Sequence, residues 1–316
     1  MLIFHVLKPG FFTTIQDLGR FGYLRYGVPV SGAMDIFSLT AANCLVGNDP
    51  NDAGLEITLI GPELQASART EIAVTGGAIS PKINDQDVPM WQTLNVQQGD
   101  VVSFGKMESG CRAYLSIKGG IDTPLVLGSK STYVRGGFGG MKGRQLRAGD
   151  AIEGFDTQPL EIGYRMPEEL IPQFTNHFRA HVVLGPQADM FTEKGTNTFF
   201  SSQYEVTLEA DRMGYRLDGP AIEHKTKADI VSDALLPGSI QVPKDGKPIL
   251  IMRDAQTTGG YAKIAATITP DACMLGQAKP NDTIEFCRIS LEEAYEKLFE
   301  YHQMLEALKK MLQEPI

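Results

Sequence analysis

The chain has 316 residues and a formal charge of -9, with a pI near 5.1. That balance excludes the basic footprint of a nucleic-acid binder, and no apolar run reaches the length of a membrane span. A hydrophobic fraction of 42% with 33 glycines and 18 prolines is enough for real cores in a turn-rich β protein, and the length suits two domains.

Along the chain, Met1-Leu2-Ile3-Phe4-His5-Val6-Leu7 has no basic start and runs directly into Lys8-Pro9-Gly10, so it reads as mature sequence rather than a leader. A first helix is expected over 34–46, with apolar Ile36, Leu39, Cys44 and Leu45 and a stop at Gly47-Asn48. Short apolar runs bounded by turn residues predict strands at 56–60, 72–74, 101–104, 113–117 and 248–252, and the alternation over 204–209 predicts a half-buried one. Pro167, Glu168, Glu169 and Pro172 interrupt the pattern and place a domain break near 164–172. Ser290-Leu291-Glu292-Glu293 is a capping box. It opens an amphipathic helix with Leu291, Ala294, Tyr295, Leu298, His302, Leu305, Leu308 and Leu312 on one face, expected to pack on a domain or a partner.

Three turns resemble one another: Gln97-Gln98-Gly99-Asp100, Arg147-Ala148-Gly149-Asp150 and Lys279-Pro280-Asn281-Asp282, each feeding a strand. Around the second and third, a strand, a Gly-Gly pair and the Asp turn recur in the same order, which implies two related β-rich domains. The expected division is 1–165, 166–289 and a terminal helix 290–316.

The chemistry-bearing runs are polar and glycine-rich. Gln16-Asp17-Leu18-Gly19-Arg20 leads on to Ser31-Gly32-Ala33-Met34-Asp35, and Asp211-Arg212-Met213-Gly214-Tyr215-Arg216 has the same character two hundred residues later. Arg20, Arg212 and Arg216 can supply forked donors to a carboxylate or phosphate. Asp17, Asp35, Asp211 or Asp218 can position them or act as a base. Gln256-Thr257-Thr258-Gly259-Gly260-Tyr261 leaves the 248–252 strand, where polar groups line pockets well. In the run 136–144, Arg135, Lys142, Arg144 and Arg147 flank glycines. It reads either as an anion-binding loop, acting as a lid, or as a solvated basic loop. Gly128-Ser129-Lys130-Ser131-Thr132 misses the phosphate-loop spacing. The four cysteines show no C-x-x-C pairing and the five histidines no metal pattern, so reduced thiols, no metal and a cytoplasmic location are expected. These residues ask for a small polar, anionic ligand and leave the reaction open.

The same runs, with Ala41-Ala42-Asn43, Leu55-Glu56-Ile57-Thr58 and Pro237-Gly238-Ser239-Ile240-Gln241-Val242-Pro243, occur in an order that resembles one family over residues 3–288. It contains the C-type subunit of 5-oxoprolinase, the allophanate hydrolase subunit 2-like proteins, the carboxyltransferase domain of urea carboxylase and the Kip antagonist. The resemblance implies a mainly β fold of two tandem cyclophilin-like β-barrel domains. The resemblance marks positions rather than roles; on those positions catalytic roles are expected of Arg20, Asp35, Arg212 and Arg216. Substrate contacts would come from Asp17, Ser31, Asn43, Glu56, Met213, Gly214, Tyr215, Gln256, Thr257, Thr258, Gly259, Gly260 and Tyr261. Lys142 and Arg144 would be cofactor-binding. It further implies ATP, with Mg, and partner subunits of A and B type that together with this chain open 5-oxoproline to L-glutamate. No Ala/Val-Met-Lys-Met biotin site and no ATP-grasp-sized extension is present. Biotin-dependent carboxyl transfer to urea or a related amide, and a Kip-antagonist type of regulatory binding, are the alternatives.

Overall fold

The computed structural model describes residues 1–160 and 162–311 of the chain, so Leu312 lies outside the described residues. The chain divides into two compact units. The first takes Met1–Phe21, Ser31–Phe174 and the described residues from Met304 onward; the second takes Gly22–Val30 and Thr175–Gln303.

The first unit holds strands β1 (Leu2–Lys8), β2 (Phe12–Gln16), β3 (Gly54–Thr58), β4 (Glu63–Ala66), β5 (Thr70–Ile83), β6 (Gln86–Asp87), β7 (Thr93–Val96), β8 (Val101–Ile117) and β9 (Ala151–Glu153). They form one half-barrel sheet in the order β2-β3-β8-β4-β1-β9, with β5 pairing β6, β7 and β8. The runs expected at 101–104 and 113–117 are the two ends of a single 17-residue strand, β8, which lies along β5 from Ile72↔Ile117 to Ile83↔Val102. Asn84 and Asp85, with φ of 51° and 64°, make the two-residue turn between β5 and β6. Ile3, Phe4, Ile15, Leu55, Ile57, Val74, Leu115 and Ile152 are among the core side chains this sheet encloses. Helix α1 (Ile36–Leu45) is buried from Phe37 onward, which is why its apolar positions show so little one-sidedness.

The second unit holds β10 (His177–Leu184), β11 (Gln203–Val206), β12 (Gly214–Asp218), β13 (Asp229–Ala234), β14 (Ser239–Val242), β15 (Ile249–Ile251), β16 (Thr258–Thr267) and β17 (Thr283–Arg288). Seven of them close a barrel, β10-β17-β11-β12-β15-β14-β16 and back to β10, with β13 attached outside the circuit to β16. The closing pair β10–β17 is parallel, and Val182↔Thr267 links β10 to β16. Phe199 stacks on Phe286 at 4.7 Å, with Tyr204 beside both. Phe199 comes from α2 (Glu193–Ser201), which the sequence hides because Gly195 and three threonines or serines are weak helix formers. The seven-residue α3 (Thr269–Leu275) also escapes the periodicity. Helix α4 (Leu291–Met311) opens on the expected capping box: Ser290 N donates to Glu293 Oε2 (2.7 Å) and Glu293 N to Ser290 Oγ (3.1 Å).

The three Asp turns share one geometry. In each, the first residue's N–H donates to the Asp Oδ2, at 2.7, 2.7 and 3.0 Å, and the Asp N–H returns to the first residue's carbonyl. The third residue is left-handed in all three: Gly99 at φ 92°, Gly149 at 85° and Asn281 at 71°.

Candidate functional site

In the first unit, Asp17 anchors the near-miss phosphate loop. Its carboxylate accepts from Gly19 N (2.9 Å), Lys130 N (2.6 Å), Ser129 Oγ (2.8 Å) and Ser131 Oγ. Arg20 is fully buried. Its Nε donates to Val126 O and one terminal nitrogen to Ser131 O, both at 2.9 Å, and the guanidinium lies 4.9 Å from the Phe138 ring centroid. The charge of Arg20 thus serves loop closure. The paired glycines serve backbone approach: a Cβ on Gly32 would meet the Gly19 backbone at 2.8 Å, and Ala33 N donates to Asp17 O. Ser31 beside them has φ 52°, and its buried Oγ has no hydrogen-bond partner among the described residues.

A second buried network holds Glu56 and Asp35. Glu56 Oε2 accepts from Met34 N and from the Tyr114 hydroxyl, both at 2.8 Å, and Oε1 lies 3.7 Å from Arg112 Nε. The Tyr114 hydroxyl in turn accepts from Asp35 N (2.8 Å). Burial, reinforced by Glu56 and Asp35, pushes the Tyr114 hydroxyl well above its ordinary value, so it stays a donor. Asp35 is the N-cap of α1, accepting from Ser38 N (3.0 Å) and Ser38 Oγ (2.6 Å). Asn43 donates to Pro50 O and Asp52 O.

The glycine-rich run lines a cleft of about 710 Å³ with Ile15, Val126, Phe138, Lys142, Asp122, Asp150 and Glu153. It is packed rather than open as a lid: a Cβ on Gly139 would meet Ser131 O at 2.0 Å, and one on Gly143 would meet the Gly137 carbonyl carbon at 1.9 Å. Lys142 is exposed on this cleft, whereas Arg144 forks onto Asp150 at 2.7 and 2.8 Å. That pairing holds the Asp150 carboxyl below its ordinary range.

In the second unit, Arg212 forks onto Asp254, Nε to Oδ2 at 2.8 Å and the terminal nitrogen to Oδ1 at 3.0 Å, with both residues buried. Asp254 N donates to Arg212 O, so the turn before β12 and the β15–β16 connection are tied twice. Asp211 Oδ1 accepts from Met213 N and Gly214 N. Tyr215 is buried within β12. Arg216 points to the surface and pairs with Glu209 at 2.8 Å. Gln256 and Thr258 are exposed, Thr257 O accepts from Leu235 N, and Gly259 and Tyr261 stand opposite Asp233 and Asp229 in the β13–β16 ladder. Gly260 lies between them in the strand, where a Cβ would make only ordinary contact, with Ile230 O at 3.6 Å.

The same strand presents residues that motif spacing does not flag. Lys263 is buried, and its ammonium donates to Asp233 Oδ2 and to Ala234 O (2.9 Å). Gln187 reaches Asp233 Oδ2 at 3.3 Å and accepts from Lys263 N at 3.2 Å. Gln241, opposite Lys263 across β14–β16, donates to Tyr261 O. The Lys263 ammonium holds the half-exposed Asp233 carboxyl below its usual range. A charged pair with two amides beside it can bind a polar ligand and shuttle a proton. One signal for it exists in the sequence: Lys263 ends the polar run that starts at Arg253.

A separate cleft of about 700 Å³ in this unit is lined by Lys194, Lys227, Lys244 and His224, with Glu223, Asp229 and Asp245. His177 pairs with Thr283 and Glu285, and His181 with Asp271. Among the described residues no three metal-ligating side chains gather.

Comparison with known proteins follows the fold. The C-type subunit of 5-oxoprolinase from Escherichia coli (strain K12) is 36% identical over 291 residues, 92% of either chain. Urea amidolyase of Saccharomyces cerevisiae is 37% identical over 92% of this chain but only 17% of its own length. The Kluyveromyces lactis urea carboxylase structure superposes with a TM-score of 0.92 at 34% identity, covering 97% of this chain and 29% of that one. The carboxyltransferase domain, subdomain A and B, matches residues 26–288, and the chain belongs to that family.

Proposed function

We propose that this protein is the C-type component of an ATP-dependent 5-oxoprolinase, working in the cytoplasm with A- and B-type subunits to open 5-oxoproline to L-glutamate. The observation that carries the reading is the extent of the likeness to the E. coli protein. At 36% identity it runs over 92% of that protein. The thiols Cys44, Cys111, Cys273 and Cys287, none of them joined in a disulfide, suit a reducing compartment.

Opening an unstrained lactam needs an activated carbonyl oxygen, which ATP supplies by phosphorylation. ADP leaves at that step; one water then adds at the ring carbonyl carbon and the C–N bond breaks to leave an acyl phosphate, which a second water hydrolyses to glutamate and phosphate. The β16 face is the substrate site in this reading. Lys263 and Gln241 offer donors to the carboxylate and amide, and Asp233 offers a base. Arg212, held by Asp254, sets the adjoining turn with Gln256, Thr257 and Thr258. For the phosphate chain, the glycine-loop cleft fits poorly, because Arg144 is committed to Asp150 and Asp122 and Glu153 share the space with Lys142. The cleft of Lys194, Lys227 and Lys244 fits better. Those ammonium groups make no ion pair among the described residues, while Asp245 turns onto Lys247 N and Glu223 onto Thr192.

The test is glutamate formation from 5-oxoproline by the chain co-expressed with A- and B-type subunits, with and without ATP. ATP-dependent glutamate that vanishes when this chain is omitted bears the reading out. A complex that makes no glutamate but carboxylates urea with a biotinylated partner transfers it to the second reading, which the urea carboxylase likeness favours.

A further inference from the structure

Helix α4 carries two apolar stripes. Ala294, Leu298 and Leu305 are half-buried and Leu308 is buried, which accounts for one. Leu291, Tyr295 and Phe299 form the other and stand 55%, 64% and 63% exposed. They recur every fourth residue and so share a face. One position further on, Glu292, Glu296 and Glu300 recur in the same register, all exposed. At 3.6 residues per turn the apolar row spans about 80° of the helix and the acidic row about the next 80°. The single lysine between 291 and 303, Lys297, lies half-buried on the far side.

We propose that this double row is the docking face for an amphipathic helix of a partner chain whose apolar seam is edged by lysines or arginines. Three large side chains at that exposure leave on the order of 300 Å² of largely apolar surface in contact with water, the size at which a patch marks an interface. The glutamates select the occupant. Set antiparallel against itself, a second copy of α4 would place six carboxylates along one seam. Set parallel, it would offer no basic edge, because the opposite flank of the stripe is the packed side of Ala294 and Leu298. A basic-edged helix satisfies both rows at once. The face lies past residue 288, where the family match ends.

The proposal rests on the reading of this chain as one component of a larger enzyme. Its test uses the full chain with the co-expressed A- and B-type subunits and follows assembly and glutamate formation together. Two variants are compared, Tyr295→Glu with Phe299→Glu, and Glu292→Lys with Glu296→Lys and Glu300→Lys. Circular dichroism verifies that these exposed changes leave the fold intact. Each variant is expected to weaken association about 30-fold or more, as loss of an aromatic anchor or its charge complement does. Wild-type association should also weaken with salt. Wild-type affinity in both variants, with glutamate still formed, overturns the docking face and leaves the function standing. Self-association of the wild-type chain that Tyr295→Glu with Phe299→Glu abolishes also overturns it, because a second copy then fills the row. If the wild-type chain gives neither complex nor glutamate, the function reading fails and this partner falls with it.

Discussion

Arg212 and Asp254 show what a buried fork does for a barrel. Both are sequestered from water, each satisfies the other's charge, and their backbones are joined as well. Replacing Arg212 with Ala therefore strands a carboxylate inside the protein, a change that costs about 3–5 kcal/mol. Urea denaturation of Arg212→Ala should show that loss. Pairing Arg212→Met with Asp254→Leu should recover most of it, since neither charge is then left alone. A loss below about 1 kcal/mol in the single variant would mean that water reaches the pair. The same logic explains why the site is only partly legible in the sequence. Asp17, Arg20, Asp35 and Glu56 stand out as polar residues among glycines, and they do converge on buried networks. Their charges are spent on backbone amides and carbonyls, on neighbouring hydroxyls and, for Glu56, on Arg112. Sequence reports that a polar residue sits in a tight place, but which partner it faces depends on strands far away in the chain. Lys263 is hidden for the converse reason. A lysine in a strand reads as a surface residue until Asp233 is found beside it.

At the level of the element, the Asp turn is the best-read feature, because its geometry is local. Three sequences with little in common beyond the fourth-position Asp fold identically. In each, the third residue's N–H also reaches back to an earlier strand: Gly99 to Ala66 O, Gly149 to Val6 O, and Asn281 to Val206 O. No neighbour lies within 4 Å of a Cβ placed on Gly99 or Gly149. The requirement there is thus purely conformational, and Asn281 shows how asparagine meets it. Gly149→Asn should change stability by less than about 1 kcal/mol, while Gly149→Val should cost about 1–2 kcal/mol more, because a β-branched residue is penalised at positive φ. Equal midpoints in chemical denaturation would show that the turn relaxes out of the left-handed region. The capping box at Ser290 is legible for the same reason of locality. The 17-residue β8 reads as two strands because Gly105, Lys106, Glu108 and Ser109 break the apolar pattern in its middle. There the strand is held by its long pairing with β5.

Closure is a property of the whole fold, and no single segment announces it. The repeated strand and turn order points to two β-rich domains, yet nothing in it distinguishes the closed circuit of the second unit from the half-barrel of the first. That difference depends on β10 lying parallel to β17 across a hundred residues of chain and on β16 completing the ring. Closure removes every edge within the seven strands and leaves β13 as the exception. Its residues are exposed apart from the half-exposed Ile230, Val231 is 91% exposed, and the strand rests on β16 alone through a broken register. Asp229 and Asp233 on this edge discourage stray strand pairing by charge. Protection should follow the circuit. In native-state hydrogen exchange, the amides of β14, whose four residues are all buried between β15 and β16, open only with the barrel as a whole. Those of β13 open locally, and exchange should be at least about 100-fold faster there. Equal protection of the two strands would mean that β13 is a full member of the barrel's cooperative unit. The salt link from Asp233 to Lys263 would then be structural, and the β16 face would lose the local freedom that the proposed substrate entry beside Lys263 requires.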